Sequence, residues 1–152
     1  MKGKTIFITG ATSGIGEGCA RKFASAGCRL ILNGRNVEKL EALKRELVLS
    51  GCEVLTLPFD VRDREAMRLA LDSLQEEWKN IDVLINNAGL VIGLDKEHEG
   101  SLDEWDVVID TNIKGLLAMT RMVVPGMVER LKEEGYAHLD DGALVVDVKE
   151  ET

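Results

Sequence analysis

Three glycines at close spacing lie between an apolar segment and a helical pattern near the start of the chain. The segment reads T-G-A-T-S-G-I-G from Thr9 to Gly16 and follows the apolar run Thr5–Ile8. Glycine can turn the chain sharply, and without a Cβ its backbone can approach a phosphate. The N-terminus of the next helix adds N–H groups and the positive end of its dipole. A glycine-rich turn without a ligand is the alternative to a phosphate-binding loop formed by Gly10, Thr12, Ser13, Gly14, Ile15 and Gly16.

Polar residues follow three further apolar segments. Arg35 comes where a residue that reads a ribose belongs, and a cation there would pair with a 2′-phosphate. Asp60 follows the next segment, where a carboxylate could accept a hydrogen bond from an adenine amino group. Taken alone, Arg35 is better explained as a solvated turn residue, and Asp60 is equally well explained as a helix-capping or turn residue. The expected binding residues of these segments are Arg35, Asn36, Asp60, Val61, Asn86, Asn87, Ala88 and Gly89.

Short apolar segments alternate with helical patterns along the chain. The expected strands are Thr5–Thr9, Leu30–Asn33, Glu53–Leu57, Ile81–Ile85 and, after a long helical region, Ala143–Val148. Short apolar strands of this kind are typical of a parallel sheet covered on both faces. The order predicts a Rossmann-like doubly wound α/β fold, with about five strands in the order 3-2-1-4-5 and helices on both faces.

Helix signals fill the intervals between the strands. The first helix is expected to bury one face, formed by Ile15, Cys19, Ala20, Phe23 and Ala24. A second helix begins near Asn36, and Asp63 caps a third. The third is expected to bury Met67, Ala70, Leu74 and Trp78. Ser101 opens a capping box, and a long helix from about Thr111 towards Glu134 follows, with an expected kink at Pro125.

The composition is that of an ordinary globular protein. The 152 residues are 45% hydrophobic and 30% charged, with a formal net charge of −8. This charge argues against a nucleic-acid surface. No apolar run approaches the ~20 residues that cross a bilayer, and the N-terminus does not resemble a secretory signal. We therefore expect one domain over residues 1–152, a cytoplasmic location and no membrane partner.

Cysteine and histidine show no metal-ligand spacing. Cys19, Cys28 and Cys52 lie among apolar residues and are expected to be reduced and buried. His98 and His138 lie in polar segments without neighbouring ligands. We therefore expect no metal site.

Together these motifs resemble the short-chain dehydrogenase/reductase family. The resemblance rests on T-G-A-T-S-G-I-G, Asp60-Val61, N-N-A-G at 86–89 and Asn112, and covers about residues 1–130. E-W-K-N-I-D-V-L-I-N-N-A-G-L and M-V-V-P-G-M-V-E-R are most similar to the NADP-dependent 3-hydroxy-acid (serine-type) dehydrogenases. The resemblance implies that Gly10–Gly16 holds the phosphates, that Arg35 selects NADP(H) over NAD, and that Asp60, Val61 and Asn87 contact the adenosine half. It also implies that Asn112 is the catalytic-site Asn, which helps hold a proton-relay water.

The other catalytic groups of the family are missing at the matching positions. The family uses a Tyr, a Lys four residues later and a Ser, but the single tyrosine is Tyr136, and Asp140 stands four residues later. A carboxylate there would disfavour the phenolate. No serine follows Ser101, and Thr152 is at the chain terminus. The expected result is an inactive NADP(H)-binding domain, in which Asn112 is a vestige of the catalytic site, rather than a complete enzyme.

The last segment departs from the family pattern. Residues 131–152 are acidic, longer between helix and strand than in the family, and expected to supply the last strand. A cut or designed minimal version of the fold and a natural truncated homologue both fit. The alternative functions are an NADP-dependent oxidoreductase acting on small hydroxy acids and a folding scaffold with vestigial binding.

A homodimer through the 111–134 helix is expected if the apolar residues of this helix are exposed, namely Met119, Met122, Val123, Met127 and Val128. The alternative is that these residues pack against the chain's own fifth strand.

Overall fold

The central element is a four-stranded parallel sheet. The computed structural model describes residues 1–93 and 95–146. Neighbouring strands are all parallel and lie in the order β3-β2-β1-β4. The strands are β1 (Thr5–Ile8), β2 (Arg29–Gly34), β3 (Val54–Pro58) and β4 (Val83–Ile85). The predicted parallel sheet and the order of its first four strands are therefore confirmed.

Helices cover both faces of this sheet. They are α1 (Gly14–Ser25), α2 (Val37–Leu49), α3 (Arg64–Asp72), α4 (Glu76–Lys79), α5 (Leu102–Ile109) and α6 (Leu116–Glu133). A π-helical segment, Asp110–Gly115, joins α5 to α6, and a 3₁₀ turn, Glu97–Glu99, precedes α5.

Successive side chains along each strand point to opposite faces of the sheet, and this creates two separate apolar cores. Ile6 and Ile8 of β1 belong to the cluster on one face, whereas Phe7 between them belongs to the cluster on the other. Leu32 of β2 joins the first cluster and Ile31 the second, and both are completely buried. Each such side chain contributes about 1.5–3 kcal/mol by leaving water. The interleaved cores hold the strand ends, and the loops that follow them, in fixed positions.

Three helix starts are set by capping side chains, and the sequence predicts two of these caps, Asp63 and Ser101. Asn36 accepts a hydrogen bond from the backbone N–H of Lys39 at 2.9 Å. Asp63 caps α3 in the same way at 2.9 Å, and Ser101 caps α5 at 3.4 Å. Each cap satisfies a backbone donor that the first helical turn leaves unpaired.

The prediction of a fifth strand in the parallel sheet is wrong. Residues 143–146 form β6 (Ala143–Val146), which pairs antiparallel with β5 (Ala137–Asp140) in a separate hairpin. Asp141 and Gly142, with φ of 47° and 80°, make the two-residue turn, and Asp-Gly is a preferred pair for such turns. Local turn chemistry therefore outweighed the apolar pattern. Residues 147–148 of the predicted strand, and Thr152, lie outside the described residues.

Two helix predictions also need correction. The predicted third helix is two helices, α3 and α4, although Met67, Leu74 and Trp78 are buried as expected. Ile15 does not belong to the buried face of α1, because it is 79% exposed. It lies in the first turn of the helix, at the open cavity near the strand ends and not over the sheet.

Within the described residues, no helix combines the length and the apolar character needed to cross a membrane. The same part of the chain contains no group of three or more His, Cys, Asp or Glu side chains arranged to hold a metal ion. Cys28 and Cys52 are buried, Cys19 is half-buried, and all three are free thiols.

Candidate cofactor-binding crevice

A crevice of about 310 Å³ lies where the four parallel strands end. Ligands of open α/β sheets bind at the carboxyl ends of the strands. Segments that follow all four strands contribute to its walls. The structure brings together these sequence-predicted residues: Gly10, Thr12, Ser13, Gly14, Ile15, Arg35, Asp60, Val61, Asn87, Ala88 and Gly89.

The glycine loop packs tightly against the segment after β4. Gly10 has a φ of +65°, and a Cβ on it would lie 2.8 Å from the Cα of Ala88. A Cβ on Gly16 would overlap the carbonyl of Gly10 and the side-chain amide of Asn87. These two positions therefore require glycine, because any side chain would push the two walls of the crevice apart.

The start of α1 is arranged to receive an anion. Gly14 has a φ of +54°, and the space next to its missing Cβ is open. Ser13 precedes the helix, but its side chain accepts no capping hydrogen bond from it. The first N–H groups of a helix have no partner within the helix and carry partial positive charge. The geometry therefore suits the phosphate groups of a dinucleotide.

Thr9 and Asn87 fasten the two walls together. The Asn87 side-chain amide donates to the carbonyls of Thr9 and Gly10, at 3.0 Å each. The Thr9 hydroxyl oxygen accepts from the backbone N–H groups of Asn87 and Ala88, also at 3.0 Å. Asn87 thus donates both hydrogens of its side-chain amide to the glycine loop. Thr9, a buried hydroxyl at the end of a strand, is a positioning residue that sequence reasoning missed.

Asn33 performs the same task between β2 and β3. Its side chain is 1% exposed and donates to the carbonyls of Leu57 and Phe59, at 3.0 Å each. Its own carbonyl accepts from the N–H of Ala11 at 2.8 Å. This network fixes the turn that carries Arg35, whose side chain is 63% exposed on the rim. The crevice therefore presents a solvent-accessible cation beside the end of β2.

Asp60 lies between two arginines. Arg62 donates to its carboxylate from the backbone N–H at 2.9 Å and from Nη2 at 2.6 Å, while Arg35 Nη1 is 3.9 Å from Oδ2. Hydrogen bonding by the Arg62 side chain is the main reason why the pKa of Asp60 is lowered from its usual value. Asp60 is therefore an ionised hydrogen-bond acceptor at neutral pH.

Four sequence-predicted residues do not line the crevice. Gly16 is buried beneath the loop, and Asn36 caps α2. Asn86 donates to the hydroxyl of Thr120 at 3.0 Å, and its buried Oδ1 has no partner among the described residues. Asn112 lies in the π-helical segment, Asp110–Gly115. None of the four belongs to the lining of the crevice, and their direct contact with a cofactor stays a prediction.

Asn112 lies in the π-helical segment and holds the backbone of Leu90. Its side-chain oxygen accepts from the N–H of Leu90, and its amide donates to the carbonyl of Leu90, both at 2.8 Å. Leu90 lines the crevice, as do Phe59 and Thr111. These three carry no sequence signal beyond their positions beside recognised motifs. Asn112 thus has an observed positioning role, and its catalytic role stays a prediction.

The chemistry of the described lining is that of binding. It offers backbone N–H groups, hydroxyls, amides, Arg35 and Asp60, but it contains no Tyr, Lys, His or Cys. Tyr136 follows α6, is 39% exposed and is not part of the lining. General acid–base catalysis requires a titrating group within hydrogen-bond reach of the reacting atom. This set of residues suits phosphate and ribose recognition and supplies no proton donor of that kind.

The sheet and crevice define a doubly wound α/β protein of the Rossmann type. The family model described as short chain dehydrogenase matches residues 4–135. The chain belongs to this family, and the sequence-based resemblance is confirmed.

Individual relatives agree with this assignment. The chain is 51% identical over 125 residues to the NADP-dependent 3-hydroxy acid dehydrogenase YdfG of Salmonella typhi, covering 82% of this chain and 49% of that protein. The structure of a serine dehydrogenase complexed with NADP⁺ in its closed form is 48% identical, with a TM-score of 0.79, covering 83% of this chain and 50% of that one. A metagenomic short-chain oxidoreductase in complex with NADP is 34% identical, with a TM-score of 0.80, covering 86% and 59%. The chain spans about half the length of the curated relatives it matches.

Proposed function

We propose that this chain binds NADP(H) in the crevice at the carboxyl ends of its strands. The observation that carries the proposal is the convergence of the glycine loop, Arg35 and Asp60 on a single crevice. In this arrangement the loop and the start of α1 hold the pyrophosphate, Arg35 holds the 2′-phosphate, and Asp60 and Val61 face the adenine. Relatives that are named NADP-dependent or were solved with NADP support the same cofactor.

Calorimetric titration tests the proposal. NADP⁺ and 2′,5′-ADP are expected to bind, and NAD⁺ is expected to bind at least about tenfold more weakly, because one charge-assisted contact contributes roughly 1.5–3 kcal/mol. Arg35→Gln should remove this preference, whereas Arg45→Gln, at an exposed position of α2 outside the crevice, should preserve it. Absence of NADP⁺ binding at millimolar concentration would refute the proposal. It would favour the alternative of a folding scaffold.

We further propose that these 152 residues bind the cofactor without completing the reaction. Tyr136 is followed four residues later by Asp140 instead of Lys, and the described crevice lining has no Tyr, Lys, His or Cys, while its carboxylate, Asp60, is paired with Arg62. The name of the 51% identical relative favours an NADP-dependent 3-hydroxy acid oxidoreductase as the second candidate. An absorbance assay with serine and several 3-hydroxy acids separates the two. Turnover above the rate in buffer would establish the second candidate.

We also propose self-association through α5, the π-helical segment and α6. Met119 and Val123 are buried in the chain's own core, so the expectation that they contribute an exposed face is wrong. Other apolar residues along these helices are exposed, namely Trp105, Ile109, Ile113, Leu116, Leu117 and Met122. Exposed apolar stripes of this kind mark interaction surfaces. A mass by light scattering that stays monomeric at high concentration would contradict the proposal.

A further inference from the structure

Asp60 is an unfavourable neighbour for a phosphate. Its carboxylate lines the crevice and lies 3.9 Å from the guanidinium of Arg35. A negative charge this close cancels part of the positive potential that Arg35 offers, and it repels an incoming phosphate. An NADP(H) site that contains this carboxylate therefore needs a second source of positive charge.

Arg62 supplies that charge from behind the crevice. Its Nε lies 3.0 Å from Oδ1 and 3.1 Å from Oδ2 of Asp60, and its Nη2 lies 2.6 Å from Oδ2. Its backbone N–H donates to Oδ1 at 2.9 Å. A planar guanidinium paired with both carboxylate oxygens is the strongest ion-pair geometry available to side chains. The charge of Asp60 is thus compensated at both carboxylate oxygens, including Oδ2, the oxygen from which Arg35 Nη1 is 3.9 Å away.

Arg62 does not reach the candidate cofactor site itself. It lines a separate cavity of about 220 Å³, together with Arg64 and Lys114, and is absent from the lining of the crevice. Arg62 therefore acts on the crevice through its contact with Asp60. This makes it a positioning and charge-compensating residue.

We propose that Arg62 determines the preference for a 2′-phosphate by neutralising Asp60, so that Arg35 is left to bind the phosphate. The inference rests on the proposed NADP(H) function and adds a second determinant to Arg35. It differs from a purely structural role of Arg62 in the 60–63 turn. Loss of a structural support would weaken all adenine nucleotides equally, whereas loss of charge compensation weakens those with a 2′-phosphate selectively.

The test compares 2′,5′-ADP with 5′-AMP, which differ only in the 2′-phosphate. In Arg62→Gln, the ratio of their affinities is expected to fall about tenfold, the scale of one uncompensated charge acting on a phosphate dianion in partly aqueous surroundings. Arg64→Gln is the matched control, since it removes a cation from the same cavity without touching Asp60 in the hydrogen-bond network. It should change the ratio less than about twofold. Thermal melting confirms that both variants are folded.

A double variant makes the test specific. In an Asp60→Asn background there is no carboxylate to compensate, so adding Arg62→Gln should leave the ratio unchanged within about twofold. An unchanged ratio in the single variant, or equal weakening of both ligands, would overturn the inference while NADP⁺ binding by the wild type upholds the proposed function. If the wild type binds neither nucleotide, the proposed function and the inference both fail.

Discussion

The central sheet and the C-terminal hairpin contain strands of similar length and apolar character but opposite surroundings. All four residues of β1, T-I-F-I, are buried, whereas all four residues of β6, A-L-V-V, are exposed. In the hairpin, Ala137 of β5 is the buried residue. The hairpin strands pair across a two-residue turn, whereas β1 pairs with β2 and β4 from distant parts of the chain. Among the described strands, the sheet is the one with helices on both faces, and there whole apolar strands contribute to stability by burial, whereas the hairpin buries Ala137.

The largest expected effect on stability comes from making the same substitution, leucine to alanine, once in the sheet and once in the hairpin. Leu32 is completely buried in β2, whereas Leu144 in β6 is 41% exposed. Leu32→Ala should lower the free energy of unfolding by about 2–5 kcal/mol, because it removes buried methyl groups and leaves a cavity. Leu144→Ala should change it by less than about 0.5 kcal/mol. Chemical denaturation measures both, and similar losses would show that the hairpin belongs to the same cooperative unit.

A second pair of substitutions tests the tight contact within the crevice. Gly16→Ala inserts a methyl group into the Gly10 carbonyl and the Asn87 amide, whereas Gly18→Ala in the same helix meets nothing within 4 Å. Gly16→Ala should therefore destabilise by on the order of 1–3 kcal/mol and weaken NADP⁺ binding. Gly18→Ala should be neutral or stabilising by roughly 0.5–1 kcal/mol, because alanine favours a helix. Thermal melts and titrations of the two variants provide the comparison.

Gly142 extends this comparison to the hairpin. It has a φ of +80° in the turn, and the space around its missing Cβ is open. Gly142→Ala should strain the turn by about 1–2 kcal/mol but leave the melting temperature of the sheet nearly unchanged. Backbone amide exchange should then accelerate in β5 and β6 alone. Acceleration in β1 as well would show that the hairpin supports the sheet.

The smallest expected effect concerns the ion pair at the crevice. Because the pKa of Asp60 is lowered in the folded protein, chiefly by Arg62, the pair stabilises the fold above the ordinary Asp pKa of about 4. That contribution is lost as the pH falls through the lowered pKa of Asp60. Arg62→Gln should therefore cost less than about 1 kcal/mol near neutral pH and progressively less in acid. A cost that is independent of pH would exclude Asp60 as the partner through which Arg62 acts.

Much of the candidate site was predictable because its motifs are local. Gly10, Arg35 and Asp60 each follow a recognisable strand, and parallel strands bring their carboxyl ends to one edge. The pairing of Arg62 with Asp60 was not predictable, since an arginine two residues from an aspartate has many other partners available. Asn112 was recognised from its motif, but its hydrogen bonds to the backbone of Leu90 join two segments that are 22 positions apart in sequence.

The sequence by itself determined the parallel sheet, the order of its first four strands and the crevice motifs, because periodicity, caps and glycine spacing act over short distances. Only the tertiary structure decided which apolar residues are covered. It exposed Ile15, buried Met119, and placed β6 in a hairpin instead of the sheet. The physical reason is that burial depends on which neighbours arrive from distant parts of the chain. A residue's own type and its local pattern do not specify those neighbours.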